Sequence, residues 1–266
     1  MPLVEYRWRF ITREAFSFYA VVDAGQRLCA GAVTTRHRNL PSGTQADFNL
    51  SSRAAEEGSV AENRRALLNA FELEEEEAAS PEQTHGSLVL GADSPGLYPH
   101  ADGLASSNAM IWLGILVADC VPVFAFRPDL GVVGVAHAGR TGTSQGITAQ
   151  LIRLMTSRFL LDPGELVVAL GPSIGPCCYE LDAATASTLA GEFVIQRKEK
   201  PSFDLWSANI SQAVEGGVPF EHVLPPPACT SCSSNVLFSH RADGGRTGRQ
   251  IAVTRAGGLR MGLGSG

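Results

Sequence analysis

A cysteine and a histidine bracket the stretch of this chain best equipped for chemistry, DCVPVFAFRPDLGVVGVAHAGRTG at 119–142. Two β-branched and aromatic runs, 121–126 and 132–136, flank the turn-forming residues Arg127, Pro128, Asp129, Leu130 and Gly131, a pattern that predicts a β-hairpin. With the turn centred near Pro128 and Asp129, Cys120 and His137 stand directly opposed. Opposed side chains share a face with Cβ atoms roughly 4.5–5.5 Å apart, close enough for a thiolate and an imidazole to bind one ion or to act as nucleophile and base. A register slip of one residue would send one of the two to the other face. The same pair also reads as a buried thiol and a hydrogen-bonded core histidine, because free cysteine is among the most buried residue types.

His85, in the PEQTHG loop at 81–86, adds a third donor just before an apolar run at 87–90. Zinc takes thiolate and imidazole ligands, and three protein ligands leave a fourth position for water or substrate. His85, Cys120 and His137 make such a set, although their spacing alone is a weak motif. Arg241, Arg246 and Arg249 are interleaved with glycines, which reads either as an anion-binding loop or as a solvated turn. The basic stretch RHRNLPSG at 36–43 reads as a loop, solvated or presenting Arg36 to an anion. Cys229 and Cys232 form a C-x-x-C pair with no second such pair in view, and read as two buried thiols rather than a zinc or redox site. P-loop, dinucleotide and G-x-S-x-G signatures are absent, which removes the commonest nucleotide-cofactor and serine-hydrolase chemistries.

The elements that must position these residues follow from periodicity. Apolar runs at 4–10, 16–22 and 28–35 read as strands of an early sheet. Ser59 and Glu62 have capping-box spacing ahead of a helix carrying Leu67, Leu68 and Phe71, which runs into a solvated glutamate end at 74–77. The loop 95–103 holds His100, read as solvated or structural, and Asp102. Ile147, Leu151, Leu154 and Met155 lie at helical spacing, 165–170 reads as a buried strand, and 182–191 and 204–216 read as helices opened by a carboxylate and closed by glycine. Ile251 to Thr254 would be the last strand. No repeat or compositional break divides the chain, so 1–266 reads as one domain.

With 21 basic and 27 acidic residues and no basic cluster, nucleic acid is not the expected partner. The charged N-terminus does not read as a secretory signal, and the longest apolar run, 110–126, is broken by Asp119 and Pro122, so neither export nor a membrane span is expected. Six cysteines in a chain of 266 residues are too sparse for a disulfide scaffold, which points to free or metal-bound thiols in a reducing, cytoplasmic setting.

Taken together, TTRHRNLPSGTQADFNL (34–50), VAENRRAL (60–67), EQTHG (82–86), ADGL (101–104), ADC (118–120), VAHAG (135–139), LGPSIGPCCYEL (170–181) and SHRADGGRTGRQ (239–250) resemble the YfiH, or laccase-domain, family. The resemblance implies an α/β (α+β) single domain of layered mixed β-sheets flanked by helices. It implies zinc held by His85, Cys120 and His137, a role for Arg36 with Cys120 and His137 in catalysis, and substrate or phosphate binding by Arg36, Arg241, Asp243 and Arg249. Cys229 falls on a family cysteine. The implied activity is phosphorolysis of adenosine, inosine, guanosine and methylthioadenosine with phosphate as co-substrate, together with adenosine deamination, by a monomer or small homo-oligomer.

Copper, named by the laccase label, would need several sites, and His37, His100, His222 and His240 form no paired pattern. Two other readings stand beside the phosphorylase: a Cys120–His137 hydrolase of an amide such as a peptidoglycan precursor, and a non-catalytic zinc protein that binds a nucleotide. One departure is visible, because the family's usual H-A-G-W-R-G is here His137-Ala138-Gly139-Arg140-Thr141-Gly142.

Overall fold

The computed structural model describes residues 5–260 except 14, 26–27, 41, 43 and 52–56. The hairpin predicted at 121–136 is present as strands Val121–Arg127 and Val132–Ala138, joined by a 3-10 turn, Pro128–Leu130, and closed by Gly131 in the left-handed region. Both strands are buried almost throughout, which is why they read as unbroken apolar runs instead of alternating ones. They form the centre of a six-stranded sheet whose order is Val223–Leu224, Val167–Leu170, Val121–Arg127, Val132–Ala138, Gly103–Ser106, Val89–Gly91.

An eight-stranded sheet packs against it. Its main path runs Tyr6–Thr12, Phe16–Asp23, Cys29–Asn39, Gln250–Arg255, Trp112–Val117, Ala78–Pro81, Gly96–Tyr98, with Gln45–Asp47 paired onto Cys29–Asn39. Most pairings are antiparallel, with parallel pairs where Ala78–Pro81 meets its two neighbours, where Val89–Gly91 meets Gly103–Ser106 and where Val167–Leu170 meets Val223–Leu224.

Side-chain alternation sorts the core into layers. Phe124, Phe126, Val133 and Val135 face Val33, Leu113, Ile115 and Ala252 between the sheets. Val121, Val123, Ala125 and Ala136 point the other way, onto Leu151 and Met155 of helix Ile147–Phe159 and Leu205 and Ala208 of helix Leu205–Glu215. On the outer face of the large sheet, Phe16, Phe18 and Val253 pack on Leu67 and Phe71 of helix Glu57–Phe71. The result is a helix–sheet–sheet–helix stack, the mixed α/β architecture expected.

Several expectations shift. Helix Glu57–Phe71 begins before Ser59, so the proposed capping box lies inside its first turn, and the true cap falls outside the described residues. The glutamate run is a 3-10 turn, Glu75–Glu77, leading into a strand. The basic stretch at 36–43 begins as strand, because Cys29–Asn39 continues through Arg36, His37 and Arg38. The loop at 95–103 contains a short strand, Gly96–Tyr98. The helix expected at 182–191 stops after Ala183–Ala186, where Ser187 and Thr188 hydroxyls donate back to the carbonyls of Ala184 and Thr185 and compete with the helical ladder. Helix Leu205–Glu215 is capped by Asp204 as expected, its carboxylate accepting from the Ser207 amide.

Candidate metal centre

The hairpin register differs from the expected one. His137 is opposed by Pro122, not Cys120, because the turn is centred one residue later, between Asp129 and Leu130. Moving the turn centre by one residue changes the register by two, and an even shift preserves the face. Cys120 sits just beyond the strand, after Asp119, whose φ of 87° turns the chain. It still meets His137.

His85 arrives from a separate loop with its backbone at φ 63°, following Gln83 at φ 61°. These left-handed conformations are costly for residues with side chains and persist where surrounding bonds over-determine them. Gln83 fixes its loop by a reciprocal pair of bonds to the backbone of Leu116, Nε2 to the carbonyl and the amide to Oε1, each 2.8 Å. Asp102 fixes the rest. Its fully buried carboxylate accepts from the amides of Thr84 (3.0 Å), His85 (2.9 Å) and Gly86 (2.8 Å), from the Thr84 hydroxyl (3.0 Å), and pairs with His137 Nδ1 at 2.9 Å.

Asp102 therefore holds two of the three donors, the His85 backbone and the His137 ring. With Nδ1 engaged, Nε2 is the His137 nitrogen left for the centre. The donor atoms of His85, Cys120 and His137 all lie within 4.8 Å of one another, and the two rings pack edge to face at 4.7 Å. Tetrahedral zinc, with bonds of about 2.3 Å to sulfur and 2.0–2.1 Å to nitrogen, needs donors roughly 3.3–3.6 Å apart. Separations within 4.8 Å admit such an ion. Exposure rises from buried His137 through half-buried Cys120 to exposed His85, so the fourth side opens outward.

Neighbouring charges shift each of these groups. Burial alone would push the Cys120 thiol up, but the charge of His137 and hydrogen bonds from His137 and His85 bring it down to about 6. For His137, burial favours the neutral ring, while the Cys120 charge and the Asp102 hydrogen bond raise it to about 9. Burial also opposes ionisation of Asp102, and the bonds from His137 and Gly86 overcome it, holding the carboxyl below its ordinary range. The chain's own groups thus set a thiolate beside an imidazolium, with a carboxylate behind.

The three donors line a cavity of about 740 Å³, within the usual range for a small-molecule site. Trp112, Gly114, Leu116, Leu67 and Leu68 line it, and four arginines border it: Arg64, Arg140, Arg241 and Arg249. Tyr179 also lines it, with the Arg241 guanidinium 5.3 Å from its ring centroid. Burial and the neighbouring Cys120 raise the Tyr179 hydroxyl, with Arg140 and Arg241 opposing.

Of the predicted anion-binding residues, Arg241 and Arg249 reach this cavity. Arg36 and Asp243 are not among its lining residues; they pair with each other at 3.1 Å, Arg36 donates to the Ser234 carbonyl, and its guanidinium lies over Phe238. Arg246 is exposed, and His100 is exposed beside Glu82, as the solvated reading holds. Residues unassigned in the sequence enter the site: Asp102, Gln83, Tyr179, Arg64, Arg140 and the buried Asp119. The Asp119 carboxylate accepts from the Thr230 and Ser239 hydroxyls and the Arg241 amide, latching the C-terminal loop beside Cys120.

A family model described as multi-copper polyphenol oxidoreductase laccase matches residues 30–256, most of the chain. The chain belongs to that family. Among laccase-domain relatives, it is 35% identical over 245 residues to purine nucleoside phosphorylase YlmD of Geobacillus stearothermophilus, covering 84% of this chain and 89% of the relative. It is 33% identical over 226 residues to purine nucleoside phosphorylase of Deinococcus radiodurans, covering 84% and 87%. The crystal structure of YlmD from Geobacillus stearothermophilus superposes with a TM-score of 0.82 at 30% identity, covering 94% of this chain and 99% of that one. The crystal structure of the Bacillus licheniformis hypothetical protein YfiH shares the fold, with a TM-score of 0.80 at 24% identity over 93% and 98%. Among the described residues, no helix is long and apolar enough to cross a membrane.

Proposed function

We propose that this chain is a zinc-dependent purine nucleoside phosphorylase with adenosine deaminase activity, acting as one catalytic domain in the cytoplasm, as a monomer or small homo-oligomer. The observation that carries the reading is the convergence of His85, Cys120 and His137, braced by Asp102, on a cavity bordered by four arginines. The names of the relatives supply the substrate class, a purine nucleoside and phosphate.

Zinc held by His85, Cys120 and His137 would supply a Lewis acid and lower the pKa of a bound water to about 7, the nucleophile that deamination needs. The chain's own residues do the rest. Asp102 holds the His137 ring in one tautomer and orientation. Phosphorolysis forms a bond from phosphate oxygen to the anomeric carbon as the glycosidic bond to the base breaks, so anionic oxygens must be held at the sugar. Arg140 and Arg241 line the same cavity as the three donors and would take that task, because guanidinium groups suit it through paired, charge-assisted hydrogen bonds. The indole of Trp112 and the side chain of Leu116 offer the base an apolar surface. Arg36 and Asp243 support this site from behind, by fixing the C-terminal loop.

Incubating the zinc-loaded protein with adenosine, with and without phosphate, tests the proposal. Adenine and ribose 1-phosphate should appear only with phosphate, and inosine in either case; no turnover with zinc and phosphate both present would refute it. Copper oxidase chemistry is not favoured, because His37, His100, His222 and His240 join none of the metal-binding groups found among the described residues.

One observation supports a second reading. Cys120, His137 and Asp102 also form a thiolate–imidazolium–carboxylate relay, the arrangement of a cysteine hydrolase acting on an amide. That enzyme would survive a chelator and die on alkylation. A non-catalytic nucleotide-binding protein would bind without product.

A further inference from the structure

A second group of metal-type donors stands apart from the site. The C-x-x-C pair near the C-terminus has the partner that its sequence spacing concealed: Cys177 and Cys178, about fifty residues earlier, bring their sulfurs to it. All four sulfurs lie within 4.8 Å of one another, with Cys232 Sγ 3.6 Å from Cys177 Sγ and 3.4 Å from Cys178 Sγ. These separations are far from a disulfide bond length of about 2.05 Å, and all four thiols are free. They approach the edge of a tetrahedron of sulfurs around zinc, roughly 3.8 Å for bonds of 2.3 Å. The expectation of two buried thiols is thereby corrected, since Cys229 is buried while Cys232 is exposed.

The surrounding backbone is that of a built site. The Gly175 amide donates to Cys229 Sγ at 3.2 Å, and the Cys232 amide is directed at the same sulfur, as the outer-shell donors of thiolate sites are. The two cysteine loops are stitched together by Ser173 and its neighbours, whose amide donates to the Ala228 carbonyl while the Thr230 amide donates to the Ser173 carbonyl. Tight turns close both ends, Cys178 onto the Gly175 carbonyl and Ser233 onto the Cys229 carbonyl. Nothing in an apolar core requires four thiols to converge at a partly exposed surface.

We infer that Cys177, Cys178, Cys229 and Cys232 bind a single thiophilic divalent ion, zinc, in a structural site separate from the His85, Cys120, His137 centre. Four protein ligands close the coordination shell, which leaves no position for substrate and marks the site as structural. Binding displaces the thiol protons to solvent and forms metal–sulfur bonds without any change of oxidation state. The ion's position gives it a task. The Cys178 carbonyl accepts from Arg241 at 3.0 Å, and the next residue, Tyr179, lines the cavity, so an ion here would clamp that wall from behind.

Zinc content of purified wild type, Cys120→Ala, and the Cys229→Ser, Cys232→Ser double variant tests the inference. The expected values are about two, one and one equivalents per chain. Using Cys120→Ala removes the other centre, so the outcome stands whether or not the phosphorylase proposal does. Should the double variant fail to fold, cobalt titration of Cys120→Ala replaces it: about one equivalent of Co²⁺ should bind with intense thiolate charge-transfer absorption and tetrahedral ligand-field bands. The inference falls if Cys120→Ala binds neither ion after reduction. It falls equally if the folded double variant keeps the wild-type zinc content.

Discussion

Asp102 illustrates how a residue given no role in the sequence can organise a site. Five donors converge on one carboxylate, four from the Thr84–His85–Gly86 loop and one from His137. In the sequence it is a polar residue in a loop, thirty-five positions from the histidine it holds, and single-sequence reading has no signal for contacts at that range. Cys120, His137 and His85 were legible because their side chains are chemistry-bearing types near strands. Asp102→Asn should weaken metal affinity by roughly ten- to a hundredfold, read by chelator competition, with Asp102→Ala weaker still. In chelated protein, Cys120 alkylation should follow the depressed thiol: its rate rises as pH passes through about 6 and is level by neutrality, since the thiolate dominates above that value. The imidazolium persists to about 9 and loses its proton above that, so the plateau should bend there. A rate still climbing steeply through pH 8 would contradict the thiolate–imidazolium assignment.

At the level of elements, the hairpin shows what periodicity reads well and what it leaves open. The strands Val121–Arg127 and Val132–Ala138 were legible as apolar runs around turn residues, but their register depends on the 3-10 turn and on Gly131, which composition does not specify. The even shift preserved the face, and with it the Cys120–His137 meeting. After the hairpin, helix Arg140–Ser144 begins just past His137 and packs against the His85 loop so closely that a Cβ at Gly142 would lie 2.5 Å from the Gly86 carbonyl oxygen. Backbone cannot retreat as a flexible side chain can. Gly142→Ala should therefore destabilise by roughly 1–3 kcal/mol in denaturant unfolding and lower metal affinity with it, because the loop it displaces carries His85. Gly139→Ala should press on Cys120 Sγ, which lies 3.0 Å from where the new methyl group would stand, and weaken the metal with a smaller loss of stability. The same helix places Arg140 on the cavity wall, so the absence of the family's usual tryptophan leaves a cation there instead of an aromatic face.

Across the whole molecule, the two stacked sheets and their helical covers were foreshadowed by the strand and helix patterns, while the cavity was not. It is assembled from helix Glu57–Phe71, strands Ala78–Pro81 and Trp112–Val117, the Tyr179 loop and the C-terminal loop, parts brought together only by tertiary packing. The arginines divide by location. Arg140→Ala should raise the phosphate KM by roughly tenfold or more, the loss of a charge-assisted contact, with the nucleoside KM little changed in steady-state assays. Arg36→Ala, which removes the Asp243 and Ser234 partners, should instead lower the unfolding midpoint by destabilising the C-terminal loop, leaving the phosphate KM near wild type. In the proposed enzyme, His85, Cys120 and His137 hold one zinc ion on which purine nucleoside cleavage depends. Phosphate-dependent release of adenine from adenosine, followed before chelation, after chelation and after zinc is restored, tests it most directly. Activity should vanish with the metal, return with zinc, and be absent from Cys120→Ala throughout; full activity in chelated protein would contradict a zinc-dependent cleavage.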